Sequence, residues 1–289
     1  MVRIFLAVWG WLFVGMVPVL ALADWPVPKV PAVLKSEIDG INYMREEKAP
    51  EAIAALEQAV EDGSATALYR LAQIYYEGMG EQWSIADKSI EYLKKAVAKN
   101  QVEAMFMYAL VGPKTEHSVL TYMDRAAMLG MAANVFKVGL TSVTEKTPFQ
   151  PPMGIQLIES AARAGFDPAM AVLGRFYLKG DPLYSIKPDL EKSKIWLNRA
   201  IRAGYVSAIS DLLKIIMVDD EVYPEEKYKW LYLCRAYTCA YLDENPEVKQ
   251  AILPTLVDLE QKMHPDMLAQ TRVEIKSLSK RIKRANVQE

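Results

Sequence analysis

Asp189–Leu212 reads DLEKSKIWLNRAIRAGYVSAISDL. Trp196, Leu197 and Ala200 fall on one face of a helix, and Gly204 stops it, because glycine takes the left-handed backbone that ends a helix. Ala208 and Leu212 then begin a second apolar face. The same order recurs at Ser89, Tyr92, Leu93, Ala96, Asn100 and Ala104, and again at Leu157, Ile158, Ala161, Gly165, Ala169 and Leu173. Such self-similarity predicts a repeat architecture before any single residue is interpreted.

The columns of the repeat define an αα-hairpin. A small residue recurs at Ala59, Ala96, Ala126, Ala161, Ala200 and Cys234, separated by 37, 30, 35, 39 and 34 residues. Three positions before it stands Leu56, Leu93, Met123, Ile158, Leu197 or Leu231, and four after it Gly63, Asn100, Gly130, Gly165 or Gly204. The next helix begins at Ala67, Ala104, Asn134, Ala169 or Ala208, with predicted buried positions Leu71, Tyr108, Val138, Leu173 and Leu212. Ala72, Ala109, Gly139 and Gly174 follow, small enough for two helices to approach closely. One hairpin buries too little to stand alone, so neighbours stack. No sustained period-2 alternation argues for strands. The expected fold class is all-α, a solenoid of αα-hairpins.

The ends differ from the middle. Met1–Ala23 has Arg3 at its start, an apolar run over Ile4–Leu20 and Ala21-Leu22-Ala23 before Asp24. This reads as a cleavable secretory signal, with an uncleaved anchor as the alternative; the core of about 17 residues is short for a span. No later run reads as long and apolar enough to cross a bilayer. Residues 24–38, with three prolines in Asp24–Pro31, are expected to be an extended lead-in. Residues 39–242 form five to six helix pairs, and 243–289 capping helices. The tail SLSKRIKR is basic, a pattern that is usually a solvated face.

Composition excludes more than it selects. Among 289 residues, 34 are basic and 36 acidic, for a net charge of −2, so no basic stripe points to nucleic acid. His117 and His264 are the only histidines, with no metal-ligand spacing, and no cofactor motif appears. Ser277-Leu278-Ser279-Lys280 matches S-x-x-K, but the companion motifs of penicillin-interacting enzymes are missing. Cys234 and Cys239 are a possible disulfide. On a continuous helix they would lie about 7.5 Å apart along the axis and about 140° apart in direction. A bond needs Cα atoms within about 7 Å, so it requires the helix to end near Ala236–Thr238. Both states stay open.

ALYRLAQIYYEGMG, AVLGRFYLKGDP, KSKIWLNRAIRAG and YKWLYLCRA resemble Sel-one-like repeats (SLR), relatives of the tetratricopeptide repeat, over Ala49–Leu242. Tyr108, Asn134 and Ser142 depart from the pattern. The resemblance implies a right-handed superhelix and a non-catalytic protein–protein scaffold. In bacteria, secreted members are often envelope or host-interaction proteins, so periplasmic or secreted localisation is expected. It also implies that the first helix of each pair lines a concave face. Positions two before and two after the buried column would then contact a protein or peptide: Tyr69 and Gln73, Phe106 and Leu110, Phe136 and Leu140, Ala171 and Arg175, Ser210 and Lys214. Such a groove is aromatic in its first half and cationic in its second, and suits a peptide with an acidic end. The alternatives are a cell-wall enzyme of weak penicillin-interacting type and a structural assembly factor for an envelope machine.

Overall fold

The computed structural model describes residues 32–79, 84–112, 115–144, 151–180, 186–217, 221–237 and 239–285. The expected signal over 1–23 lies outside them, as do residues 24–31 of the lead-in.

Six hairpins follow one another, each packed within itself and against the next. They pair α1 (Ala32–Arg45) with α2 (Ala49–Glu61), α3 (Ala65–Glu77) with α4 (Ala86–Ala98), and α5 (Val102–Val111) with α6 (Glu116–Ala126). Then α7 (Ala132–Thr144) pairs with α8 (Pro151–Arg163), α9 (Asp167–Lys179) with α10 (Leu190–Ala203), and α11 (Ala208–Ile216) with α12 (Pro224–Ala236). The short α13 (Ala240–Glu244) leads into α14 (Pro246–Lys262) and α15 (Pro265–Ala285).

The sequence columns are the core. Ala59, Ala96, Ala126, Ala161, Ala200 and Cys234 are fully buried, as are Leu56, Leu93, Met123, Ile158 and Leu197. Four of the second helices, α2, α4, α8 and α10, close through one turn. The carbonyl of the small residue accepts an amide from five positions on: Ser64 to Ala59, Gln101 to Ala96, Phe166 to Ala161, Tyr205 to Ala200. This bond needs a left-handed residue between, supplied by Gly204 at φ 114° and by Asn100 at φ 64°.

Four features correct the sequence reading. The lead-in expected over 24–38 is already helical from Ala32, because no proline lies between Pro31 and Pro50 to oppose a helix. Gly40 of α1 meets α2 where Gly174 meets α10: a Cβ on either would press on the leucine opposite, Leu56 or Leu197. The prolines Pro151 and Pro152 open α8 in its first turn, where a missing N–H costs nothing.

In α7 the register holds at Gly139, which meets Ile158 as Gly174 meets Leu197, but the two positions expected in the core do not reach it. Val135 and Gly139 are buried, Val138 is only partly so, and the polar Asn134 is exposed. In α5, Met105 and Ala109 take the buried positions and Tyr108 stands at the edge, its ring 5.2 Å from that of Tyr122.

The expectation that no later run could cross a bilayer also changes. Glu116–Thr144 is a 29-residue helical stretch that is long and apolar enough by length and composition. Gly130, at φ 110°, breaks it into α6 and α7, and both pack into the solenoid.

The C-terminal helices turn back over the second-helix side. α15 packs on α10 and α12 and buries Thr271, Ile275 and Ile282. Tyr228 on α12 donates to Glu260 of α14 at 2.6 Å, and Arg272 of α15 donates to the same carboxylate at 2.9 Å.

Candidate functional site

The first helices present the side chains that the sequence singles out, but not as one groove. Tyr69 packs against the layer of Leu68 and Leu93. Phe106 and Leu110 pack against the next layer, with Met123. Phe136 belongs to a third, its ring 5.3 Å from that of Phe166. The three aromatic residues serve three successive layers. Ala171 and Ser210, expected on the surface, are buried, because the first helices pack closely at this end of the solenoid.

The cationic half is neutralised. Arg175 donates from Nε to Asp211 at 2.8 Å, joining α9 to α11, and Lys214 pairs with Glu244 at 2.8 Å. An acidic ligand would have to displace these carboxylates, so the expected acidic end has no free cation to meet at Arg175 or Lys214.

At the N-terminal end the residues do converge. Arg70 donates to Gln73 at 2.8 Å, and its guanidinium lies 5.5 Å from the Tyr69 ring centre. Its Nε is buried with no hydrogen-bond partner among the described residues. Burial pushes the Tyr69 hydroxyl above its usual pKa, against the opposing charge of Arg70. Sequence reasoning missed Arg70, since it sits one position before the Leu71 column and only positions two away were considered. The signal available was its charge in the middle of a helix whose other charged residue, Glu77, stands at its end.

The two cysteines are bonded. α12 ends at Ala236, and the Cα atoms of Cys234 and Cys239 lie 5.0 Å apart. Ser277 and Lys280 are exposed on α15. Among the described residues no three of His, Cys, Asp and Glu group as metal ligands.

Two hairpins repeat each other in detail. Lys88 lies over the Tyr75 ring at 4.1 Å, and Lys192 over the Tyr177 ring at 5.3 Å. Ser89 donates to the carbonyl of Ala72 at 2.8 Å, and Ser193 to that of Gly174 at 2.7 Å. The Sel1 repeat family model matches these same segments, residues 65–101 and 167–205. The chain carries Sel1 repeats over these two segments.

Solved structures similar to this chain include a protective antigen of uropathogenic Escherichia coli with an SLR fold. It is 18% identical, with 83% of this chain and 51% of that one covered and a TM-score of 0.40. The chain thus spans about half the length of that antigen. A Sel1 repeat protein from Oxalobacter formigenes is 23% identical over 75% of this chain and 93% of its own, with a TM-score of 0.41. An immunity protein from Pseudomonas aeruginosa is 19% identical over 71% and 81%, with a TM-score of 0.30. No curated protein matches the sequence.

Proposed function

We propose that this protein is a non-catalytic scaffold of the bacterial cell envelope that holds a protein or peptide partner on its first-helix surface. One observation carries the reading. The matched repeats share the side chains that close the hairpin at Ala67 and Ala169, Leu71 and Leu173, Tyr75 and Tyr177, Ser89 and Ser193, and Leu93 and Leu197. They differ at Tyr69 against Ala171, Arg70 against Val172 and Gln73 against Arg175. A helix face whose side chains vary between otherwise matched repeats is where a repeat scaffold can encode its partner. Tyr and Arg are also the residue types that dominate interface energies. Export draws support from the Met1–Ala23 pattern and from the Cys234–Cys239 bond, since disulfides persist in oxidising compartments.

A photo-crosslinking amino acid at Gln73 or Phe106 is expected to yield one protein adduct in cells. The same group at Glu91, exposed on α4, should yield none. Equal labelling from all three positions would remove the first-helix surface from consideration. N-terminal sequencing of the mature protein should begin at Asp24; a chain beginning at Met1 in the cytoplasm would defeat the export reading.

A further inference from the structure

We propose that a second surface, on the other side of the solenoid, binds an acidic peptide segment of a partner protein. α10, α12 and α15 enclose a groove of about 440 Å³. Arg202 enters from α10, Lys229 from α12 and Arg281 from α15, with Trp230 closing the bottom at 2% exposure. Lys229 is paired with Glu274 at 3.5 Å. Arg202 and Arg281 are exposed, and neither has an acidic partner among the described residues.

The charge is particular to this groove. Two repeats earlier, the space between α6 and α8 is lined by Asp124 and Glu159 beside Arg163. Arg163 stands two residues before its turn glycine, as Arg202 does, and Asp124 holds it at 2.8 Å. Arg202 makes no such ion pair among the described residues, and α15 adds Arg281 to the groove beside Glu274, which is held by Lys229. Two unpaired guanidinium forks and a lysine facing one recess match carboxylate side chains, which such forks bind through paired charge-assisted hydrogen bonds. The recess is scaled to side chains, and its aromatic bottom is out of reach of a flat bilayer, which favours a peptide over a lipid surface. The basic tail of the sequence thereby acquires a role: α15 brings its charge against α10 and α12.

The test uses the full mature chain and a fluorescein-labelled eight-residue peptide of alternating Asp and Glu, with the Asn/Gln peptide as control. Anisotropy should show binding of the acidic peptide only, weakening as salt is raised. Arg202→Glu with Arg281→Glu should weaken binding by roughly tenfold or more. Arg202→Gln with Arg281→Gln, which introduces no repulsion with Glu274 or other neighbours, should do so too and covers a folding failure of the first variant. Tyr69→Ala with Gln73→Ala should leave Kd unchanged, which keeps this surface separate from the first-helix one. No binding by the wild type, equal binding of the neutral peptide, or unchanged affinity in the Gln variant would overturn the proposal. So would binding of phosphatidylglycerol vesicles without affinity for the peptide, which would assign the surface to membranes.

Discussion

The amide of Cys239 donates to the carbonyl of Cys234 at 3.0 Å, and the same two residues are joined through their sulfurs. That hydrogen bond is the one that ends α2, α4, α8 and α10, from the residue five on to the small column. The turn folds the chain back, so two residues that a continuous helix would hold apart lie 5.0 Å apart at Cα. The disulfide is a covalent copy of the repeat's own turn, placed where the solenoid passes from α12 to α13.

Loss of the bond has a defined cost. Cys234 is fully buried in the alanine column, so Cys234→Ala fits the site and isolates the effect of the cross-link. Closing so short a loop stabilises by about 2 kcal/mol in the chain-entropy view. The double variant with Cys239→Ala is expected to unfold at lower denaturant and to be cut faster by protease around residues 237–245. Two free thiols in the exported protein, seen by mass spectrometry, would refute the pairing.

The serine bridges offer a paired comparison. Ser89 and Ser193 are fully buried and tie the second helix to the first through one hydroxyl each. Either serine changed to alanine should cost about 1 kcal/mol, the net worth of a buried neutral hydrogen bond whose acceptor can keep a helical partner. Ala52 and Val119 occupy the corresponding positions of α2 and α6, so the hairpin still closes without the hydroxyl. Unchanged denaturation midpoints in both variants would show that the bridges contribute nothing.

Most of the fold was legible because the repeat states it several times. The alanine, leucine and glycine columns recur often enough that one degenerate copy does not hide them. What escaped had physical causes. The sequence around Gly130 keeps the turn residue, but the polar Asn134 stays exposed, and α7 buries Val135 and Gly139 while Val138 is only partly covered. The groove residues were placed by counting along one helix, whereas Arg175 and Lys214 find Asp211 and Glu244 on other helices. Arg70 was passed over because the count skipped its position. Partners across helices are not visible to a one-dimensional period.

Gly139 and Gly174 separate two kinds of tight contact. A Cβ on Gly139 would stand 2.8 Å from the Gly154 carbonyl oxygen, which is backbone and cannot move aside. On Gly174 it would stand 2.6 Å from Leu197 side-chain atoms, which can rotate. Overpacking of this kind costs about 1–3 kcal/mol, with rigid neighbours toward the upper end. Gly139→Ala is expected to destabilise more than Gly174→Ala, and urea titration of both variants ranks them. The reverse order would mean that α7 and α8 part more easily than their packing suggests.

Acid should loosen the C-terminal helices first. The hydrogen bond from Tyr228 and then that from Arg272 hold Glu260 below the usual glutamate range. A carboxylate whose pKa is lower folded than unfolded binds protons more readily in the unfolded chain. Its contribution is therefore complete above about pH 5 and fades as pH falls through the depressed folded value. Glu260 joins α12, α14 and α15, so its protonation weakens the hold of α15 on the solenoid. Hydrogen exchange of the α15 amides is expected to quicken on acidification, beyond the intrinsic pH effect, while that of α9 does not. In Glu260→Gln the α15 amides should exchange faster at neutral pH and lose that acid dependence. If wild type and variant keep the same pH profile, Glu260 is not the group that fixes α15.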